Sequence, residues 1–185
     1  MSGWKKYLGA ALLSAASMQA YAATLTPVAA PNPSTVGQTV ELDVQLVDVT
    51  DLYSYEFSLQ FDPTILQVSS VELGDFLGGT FNSTGSVDNV AGTVSYVFSS
   101  LLGAIPGVSG TGSLGTISFQ AVGAGNSTVS FFDTLLLDSG QLDIDTTLGT
   151  ATVQVLAVPE PSTYLMLGVG LIGVAALRRR QLARG

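Results

Sequence analysis

Tyr53-Ser54-Tyr55-Glu56-Phe57-Ser58-Leu59-Gln60-Phe61 places an apolar residue at every odd position and a polar one at every even position. Successive side chains of an extended chain point to opposite faces, so this alternation predicts a strand with one buried and one wet face. The pattern repeats on both sides. Val40, Leu42, Val44 and Leu46 alternate with Glu41, Asp43 and Gln45 upstream, and Val94, Tyr96 and Phe98 with Thr93 and Ser95 downstream. Ile117, Phe119 and Ala121 face inward against Ser118 and Gln120, as do Ala151, Val153 and Val155 against Thr152 and Gln154.

Turn chemistry separates these runs at Asp88-Asn89 with Gly92, Gly110-Thr111-Gly112, Gly123-Ala124-Gly125-Asn126 and Asp138-Ser139-Gly140. At Asp62-Pro63-Thr64-Ile65-Leu66, Asp62 caps and Pro63 opens one helical turn that drops Ile65 and Leu66 onto the core. Between Ala23 and Val158 nothing has helical periodicity over three turns. About eight or nine short strands with polar outer faces predict an all-β, two-sheet sandwich.

The ends of the chain read differently. Lys5 and Lys6 precede an apolar stretch from Tyr7 to Ala16, and Ala20-Tyr21-Ala22 offers small residues where a signal peptidase reads them. Residues 1–22 are expected to be a secretory signal peptide, with Ala20 and Ala22 at the cleavage site. Near the other end, Pro159-Glu160-Pro161 is followed by an uncharged run from Tyr164 to Leu177 and then by Arg178, Arg179, Arg180 and Arg184. A helix over that run is about 21 Å long at ~1.5 Å per residue, against a hydrocarbon core of about 30 Å. It is expected to be one short transmembrane helix, with the arginines on the cytoplasmic side and the folded part outside the inner membrane. Three segments follow: signal peptide 1–22, sandwich 23–157 and tail 158–185.

All six basic residues lie in the two terminal segments. Of the fourteen acidic residues only Glu160 lies outside Glu41–Asp145, so the sandwich carries thirteen acids and no base. Repulsion excludes nucleic acid and anionic lipid as ligands of such a surface. Stability must come from apolar burial and backbone pairing, because no Lys or Arg is present to form salt bridges. The chain has no Cys, and about 136 residues bury roughly two-thirds of their surface without disulfides. With His also missing, the usual zinc and copper ligands and imidazole or thiol catalysis are gone.

Paired carboxylates are what remains for catalysis. Asp143 and Asp145, two apart on a strand, would stand about 7 Å apart, and Asp48 with Asp51 is the other pair. A hydrated sheet edge is the favoured reading of both, and no enzyme activity is expected. Asp133, Asp138, Asp143 and Asp145 also crowd the late strands as oxygen donors for calcium, without the spacing of an EF-hand. Solvated acids are favoured here too. No cofactor is expected, calcium being the alternative. Asn82-Ser83-Thr84 and Asn126-Ser127-Thr128 fit the N-x-S/T acceptor pattern in expected loops. Leu101, Leu102, Ile105 and Val108 fall in a Gly/Pro-broken loop that is expected to be tucked against the body.

Two resemblances sharpen this. The motif Pro159-Glu160-Pro161, the short apolar helix and the arginine cluster, in that order over Val158–Gly185, resemble the PEP-CTERM sorting tail of Gram-negative bacteria. That resemblance implies an exosortase as partner during export, and a place at the cell surface or in an exopolysaccharide or biofilm matrix. In the middle, Val36-Gly37-Gln38-Thr39-Val40-Glu41-Leu42-Asp43-Val44 and Phe57-Ser58-Leu59-Gln60-Phe61-Asp62-Pro63-Thr64-Ile65-Leu66-Gln67-Val68 resemble the early strands of cohesin domains. Gly112–Ala121 and Gly149–Val155 are similar to their late strands. The resemblance implies a jelly-roll sandwich of about nine strands that binds a protein through one sheet face. The function expected is therefore a non-catalytic binding or structural protein of the envelope matrix, with a carbohydrate-binding module holding matrix polysaccharide as the alternative. The latter needs exposed aromatic residues. Phe132 and the Phe76–Phe81 segment are its candidates, because the alternation turns Tyr53, Tyr55 and Tyr96 inward.

Overall fold

The alternating stretch at Tyr53–Phe61 is the second half of a longer strand. The computed structural model describes residues 22–79, 81–158 and 161–182. Its strands are β1 (Ala23–Ala30), β2 (Ser34–Thr35), β3 (Thr39–Gln60), β4 (Leu66–Leu73), β5 (Phe81–Ser83), β6 (Ser86–Asp88), β7 (Thr93–Ser100), β8 (Val108–Ala121), β9 (Gly125–Asp138), β10 (Thr146–Leu148) and β11 (Thr150–Leu156). A helix, α1 (Pro161–Leu182), follows them.

The first half of β3 pairs with β1 and β8, and its second half with β7 and β9. This one strand therefore belongs to both layers. The first layer runs β10–β1–β3–β8–β4, and the second runs from β5 and β6 through β7, β3 and β9 to β11 and β2. The strand changes layer at Asp48 and Asp51, whose φ angles of 57° and 59° lie in the left-handed region that Asp tolerates better than most residues. Register shifts against β8 fall at the same place.

Between the layers lies the apolar face that the alternation predicts. Val40, Leu42, Val44 and Leu46 from the first half of β3 are fully buried, as are Tyr55, Phe57 and Leu59 from its second half. Phe61 meets Phe119 edge-on with ring centroids 5.1 Å apart, and Phe57 meets Phe131 at 6.0 Å. Edge-to-face pairing aligns the ring quadrupoles favourably. The Tyr55 hydroxyl donates to the Leu114 carbonyl at 2.6 Å across the core. Burial pushes that phenol from its ordinary 10.0 up to about 12.

The turn at Asp62 forms as expected. Its carboxylate accepts from the Thr64 amide at 2.9 Å and from the Thr64 hydroxyl, while Leu66 N–H closes the turn on the Asp62 carbonyl. These bonds hold the Asp62 carboxyl below its ordinary value of 3.8. The Asp88 carboxylate likewise caps the Asp88–Gly92 turn, and the Ala91 and Val90 amides lower it.

Four local expectations are corrected. Tyr96 does not face inward but is 60% exposed, and Phe98 is only partly buried, because the phase of β7 slips at Tyr96. Gly110-Thr111-Gly112 is not a turn but an irregular part of β8, with Gly110 at φ 131°. Asn82 and Asn126 stand on strands β5 and β9 rather than in loops. Leu102 and Ile105 are exposed rather than tucked, because the loop is anchored through Leu101 and Val108 instead. Apart from these corrections, among the described residues no helix is long and apolar enough to cross a membrane. Helix α1 has 22 residues, but its apolar run stops where Arg178 begins.

Candidate interaction surface

The two outer faces of the sandwich differ in chemistry. On the first layer, Glu41, Asp43 and Gln45 of β3 face out beside Ser113 and Ser118 of β8. Asp43 accepts from the Ser113 hydroxyl and from the Gln45 amide at 3.0 Å, so this face satisfies its own polar groups.

The second layer is built otherwise. Glu56 of β3 pairs with Leu135 of β9 on one side and with Phe98 of β7 on the other. Ser54 pairs with Leu137 and Ser100, and Ser100 in turn with Phe81 of β5. Directly opposite residues share a face, so Leu135, Glu56, Phe98 and Phe81 form one cross-strand patch. Phe81 is 58% exposed and its ring centroid lies 5.3 Å from that of Phe98. With Ser54 and Ser100 they enclose a shallow basin of about 190 Å³. Exposed aromatic and aliphatic side chains gathered around a basin are what a protein interface presents at its centre, although a carboxylate there is uncommon. Residues 23–157 contain no base, so no ion pair within the sandwich engages Glu56.

Phe98 and Leu135 escape the sequence reading. Phe98 escapes because the bulge at Tyr96 reverses the phase of β7. A second slip between Ser58 and Leu59 on the pair with β9 pushes Phe132 out of the ladder, and it is exposed as expected. Of the other aromatic candidates, Phe81 lies in the patch, whereas Phe76 packs against the core.

The two carboxylate pairs are placed differently. Asp143 and Asp145 both line a groove of about 200 Å³ with Thr134 and Ile144, and both are exposed. Asp51 is committed to structure. Its carboxylate accepts from the Ser139 hydroxyl at 2.6 Å and the Gly107 amide at 2.7 Å, which holds it below 3.8. Asp48 contributes its backbone amide to Thr111 instead. Among the described residues, no group of three or more acidic side chains is placed to hold a metal ion. Asp138 caps its own turn by accepting from Gly140 and Leu142 amides.

Of the terminal residues singled out above, Ala20, Pro159 and Glu160 lie outside the described residues, as does the expected signal peptide up to Tyr21. Ala22 is exposed just before β1, Pro161 opens α1, and Arg178, Arg179 and Arg180 fall near its end. Among the described side chains of α1, Leu165, Met166, Leu167, Val169, Leu171, Ile172 and Val174 are all exposed. Those positions go all round the helix, the pattern of a helix that needs an apolar surround.

A family model described as the cohesin domain matches residues 26–155, and one described as the PEP-CTERM protein-sorting motif matches residues 157–180. No curated protein matches the chain. Among solved structures, the chain is similar to a non-cellulosomal cohesin from the hyperthermophilic archaeon Archaeoglobus fulgidus at 14% identity. The match covers 79% of this chain and 98% of that one, with a TM-score of 0.62. It is similar to a chain of a type II cohesin–X-dockerin complex from Acetivibrio cellulolyticus (18% identity, 72% and 99% covered, TM-score 0.60). A type I cohesin–dockerin complex from Clostridium thermocellum gives 18%, 72% and 99%, and 0.59. At these identities the likeness establishes the fold.

Proposed function

From the premise that the chain belongs to the cohesin domain family and carries a PEP-CTERM sorting motif, we propose that it is an exported, non-catalytic module that holds a protein partner at the cell surface or in the extracellular matrix of a Gram-negative bacterium. The partner sits on the basin bounded by Phe81, Phe98 and Leu135, with Glu56 at its floor. That basin is the observation that carries the reading, because the opposite face is polar and internally bonded.

In this reading signal peptidase removes residues 1–22 after Ala22, and residues 23–157 fold outside the inner membrane. The tail, residues 158–185, is inserted in the membrane with Arg178, Arg179 and Arg180 on the cytoplasmic side. An exosortase recognises Pro159-Glu160-Pro161 and releases or transfers the module. The uncovered apolar side chains of α1 support insertion, and the arginines extend a short span by reaching to the headgroups.

A second reading, a module that holds matrix polysaccharide, draws support from Tyr96 and Phe81, both more than half exposed. Sugar rings stack on such side chains. The two readings separate by photo-crosslinking from position 135 in native cells. Protein adducts that vanish in a Phe98→Ser background support the first reading, whereas adducts to polysaccharide alone overturn it. Intact mass tests the processing. A mature form running from Ala23 to a residue near Pro159–Ser162 is expected, and one ending at Gly185 removes the exosortase step.

A further inference from the structure

The chain leaves the sandwich at one end, and that end is chemically unlike the other. Val36 N–H bonds to the Leu156 carbonyl at 3.0 Å, Gly37 to Ala121 at 2.8 Å, Val122 to Ile65 at 2.8 Å and Phe61 to Gly92 at 2.8 Å. These bonds gather the segments around residues 36, 63, 90, 122 and 156 into one tip. Val90 is 91% exposed there, and Val122, Leu156 and Val158 also stand open. The acids of this tip, Asp62 and Asp88, turn their carboxylates back into their own turns. The opposite end carries Asp48, Asp51, Asp75, Asp138, Asp143 and Asp145, and the first strand begins there, where Ala23 N–H bonds to the Asp145 carbonyl.

The tether is short. Strand β11 ends at Leu156 and α1 opens at Pro161, so five residue steps span at most about 17 Å even fully extended. An apolar run of about 21 Å in a hydrocarbon core of about 30 Å also draws its flanks inward rather than leaving them in water. The apolar residues next to that flank are Leu156 and Val158.

We propose that, in the membrane-held precursor, the tip formed by Val90, Val122, Leu156 and Val158 rests in the headgroup region of the bilayer. This rests on insertion of the tail, as proposed above. The contact orients the module: its acid-rich end, which carries the charge that repels anionic lipid, points away from the bilayer surface. The outer faces of both sheets then stand upright, open to partners.

The chain has no Cys, so Val90→Cys, Ile105→Cys and Gly170→Cys each create a unique labelling site. The full chain is exported in a Gram-negative host without exosortase and reconstituted in phosphatidylcholine–phosphatidylglycerol vesicles. A polarity-sensitive fluorophore is read against lipids spin-labelled in the headgroup or the acyl chain. The expected result is a blue-shifted, headgroup-quenched signal at 90, acyl-chain quenching at 170 and neither at 105. Position 90 behaving like 105 while 170 is quenched overturns the contact and leaves tail insertion standing. Loss of quenching at 170 overturns both. Val122→Asp is expected to abolish the shift at 90 without altering 170, and an unchanged shift counts against the tip as the contact.

Discussion

The amide of Tyr96 donates a hydrogen bond to the hydroxyl of Ser58 at 3.0 Å, across the place where β3 and β7 lose register. Ser58 is buried although its position in the alternation is a wet one. Tyr96 takes φ 60° there, so one residue is added to β7 and every side chain beyond it changes face. The bulge is what puts Phe98 beside Glu56. Ser58→Ala is expected to cost about 1 kcal/mol, the ordinary price of a lost partner for a backbone amide. Urea unfolding reads it. A variant as stable as the parent would mean that the bulge does not depend on this bond.

Tyr55 gives an alkaline prediction. Its phenol has a folded value raised above the unfolded one, from 10.0 to about 12. The stability it contributes is therefore complete below pH 10 and lost as pH rises through 12. Tyr55→Phe is expected to flatten that loss. At neutral pH it should cost only about 0.5–1 kcal/mol, because the Leu114 carbonyl keeps the Gly74 amide at 2.9 Å as a second donor. Thermal unfolding of both proteins between pH 8 and 12 checks the sign and the window.

How much of this was legible follows from phase. Val40 to Leu46 and Ile117 to Ala121 keep a strict period of two, and all of those apolar residues are buried as read. The Asp62 turn was legible because capping and proline chemistry are local. The continuity of β3 was not, since Val40–Leu46 and Tyr53–Phe61 are two separate alternating runs in the sequence, and only pairing with β8 and β9 carries one strand through Asp48 and Asp51. The patch was hidden for the same reason. Whether Phe98 and Leu135 face out depends on bulges fixed by cross-strand bonds, which the sequence of either strand alone does not contain.

Acid should loosen the molecule in a defined way. Asp51, Asp62 and Asp88 each accept hydrogen bonds as carboxylates, and each is held below 3.8. A depressed carboxyl contributes stability that is present above its unfolded value and lost as pH falls through its folded one, so the loss begins near pH 5 and continues downward. The chain has no His, and stability is expected to be flat from there to about pH 9. Asp51→Asn should reduce the acid sensitivity. In the parent, hydrogen exchange should localise the Asp51 part of the loss to Gly107 and Ser139, whose amides face the Asp51 carboxylate. Uniform loosening across the sandwich would argue against that assignment.

The partner-binding face makes the last prediction, and charge separates it from packing. Glu56 stands between Phe98 and Leu135, and no cation of the module neutralises it. A partner seated on the basin must bring an apolar group for the rings and a base or donor for the carboxylate. Phe98→Ser removes packing and Glu56→Lys reverses the charge, and each is expected to weaken the captured partner tenfold or more, about 1.4 kcal/mol. Only the loss in Phe98→Ser should persist in 0.5 M salt, because the charge contribution is screened over about 4 Å at that strength. Glu41→Lys on the opposite face serves as the control and should bind as the parent does. Equal losses from Glu41→Lys and Glu56→Lys would mean that net charge, and not this face, governs binding, which would move the interface elsewhere on the sandwich.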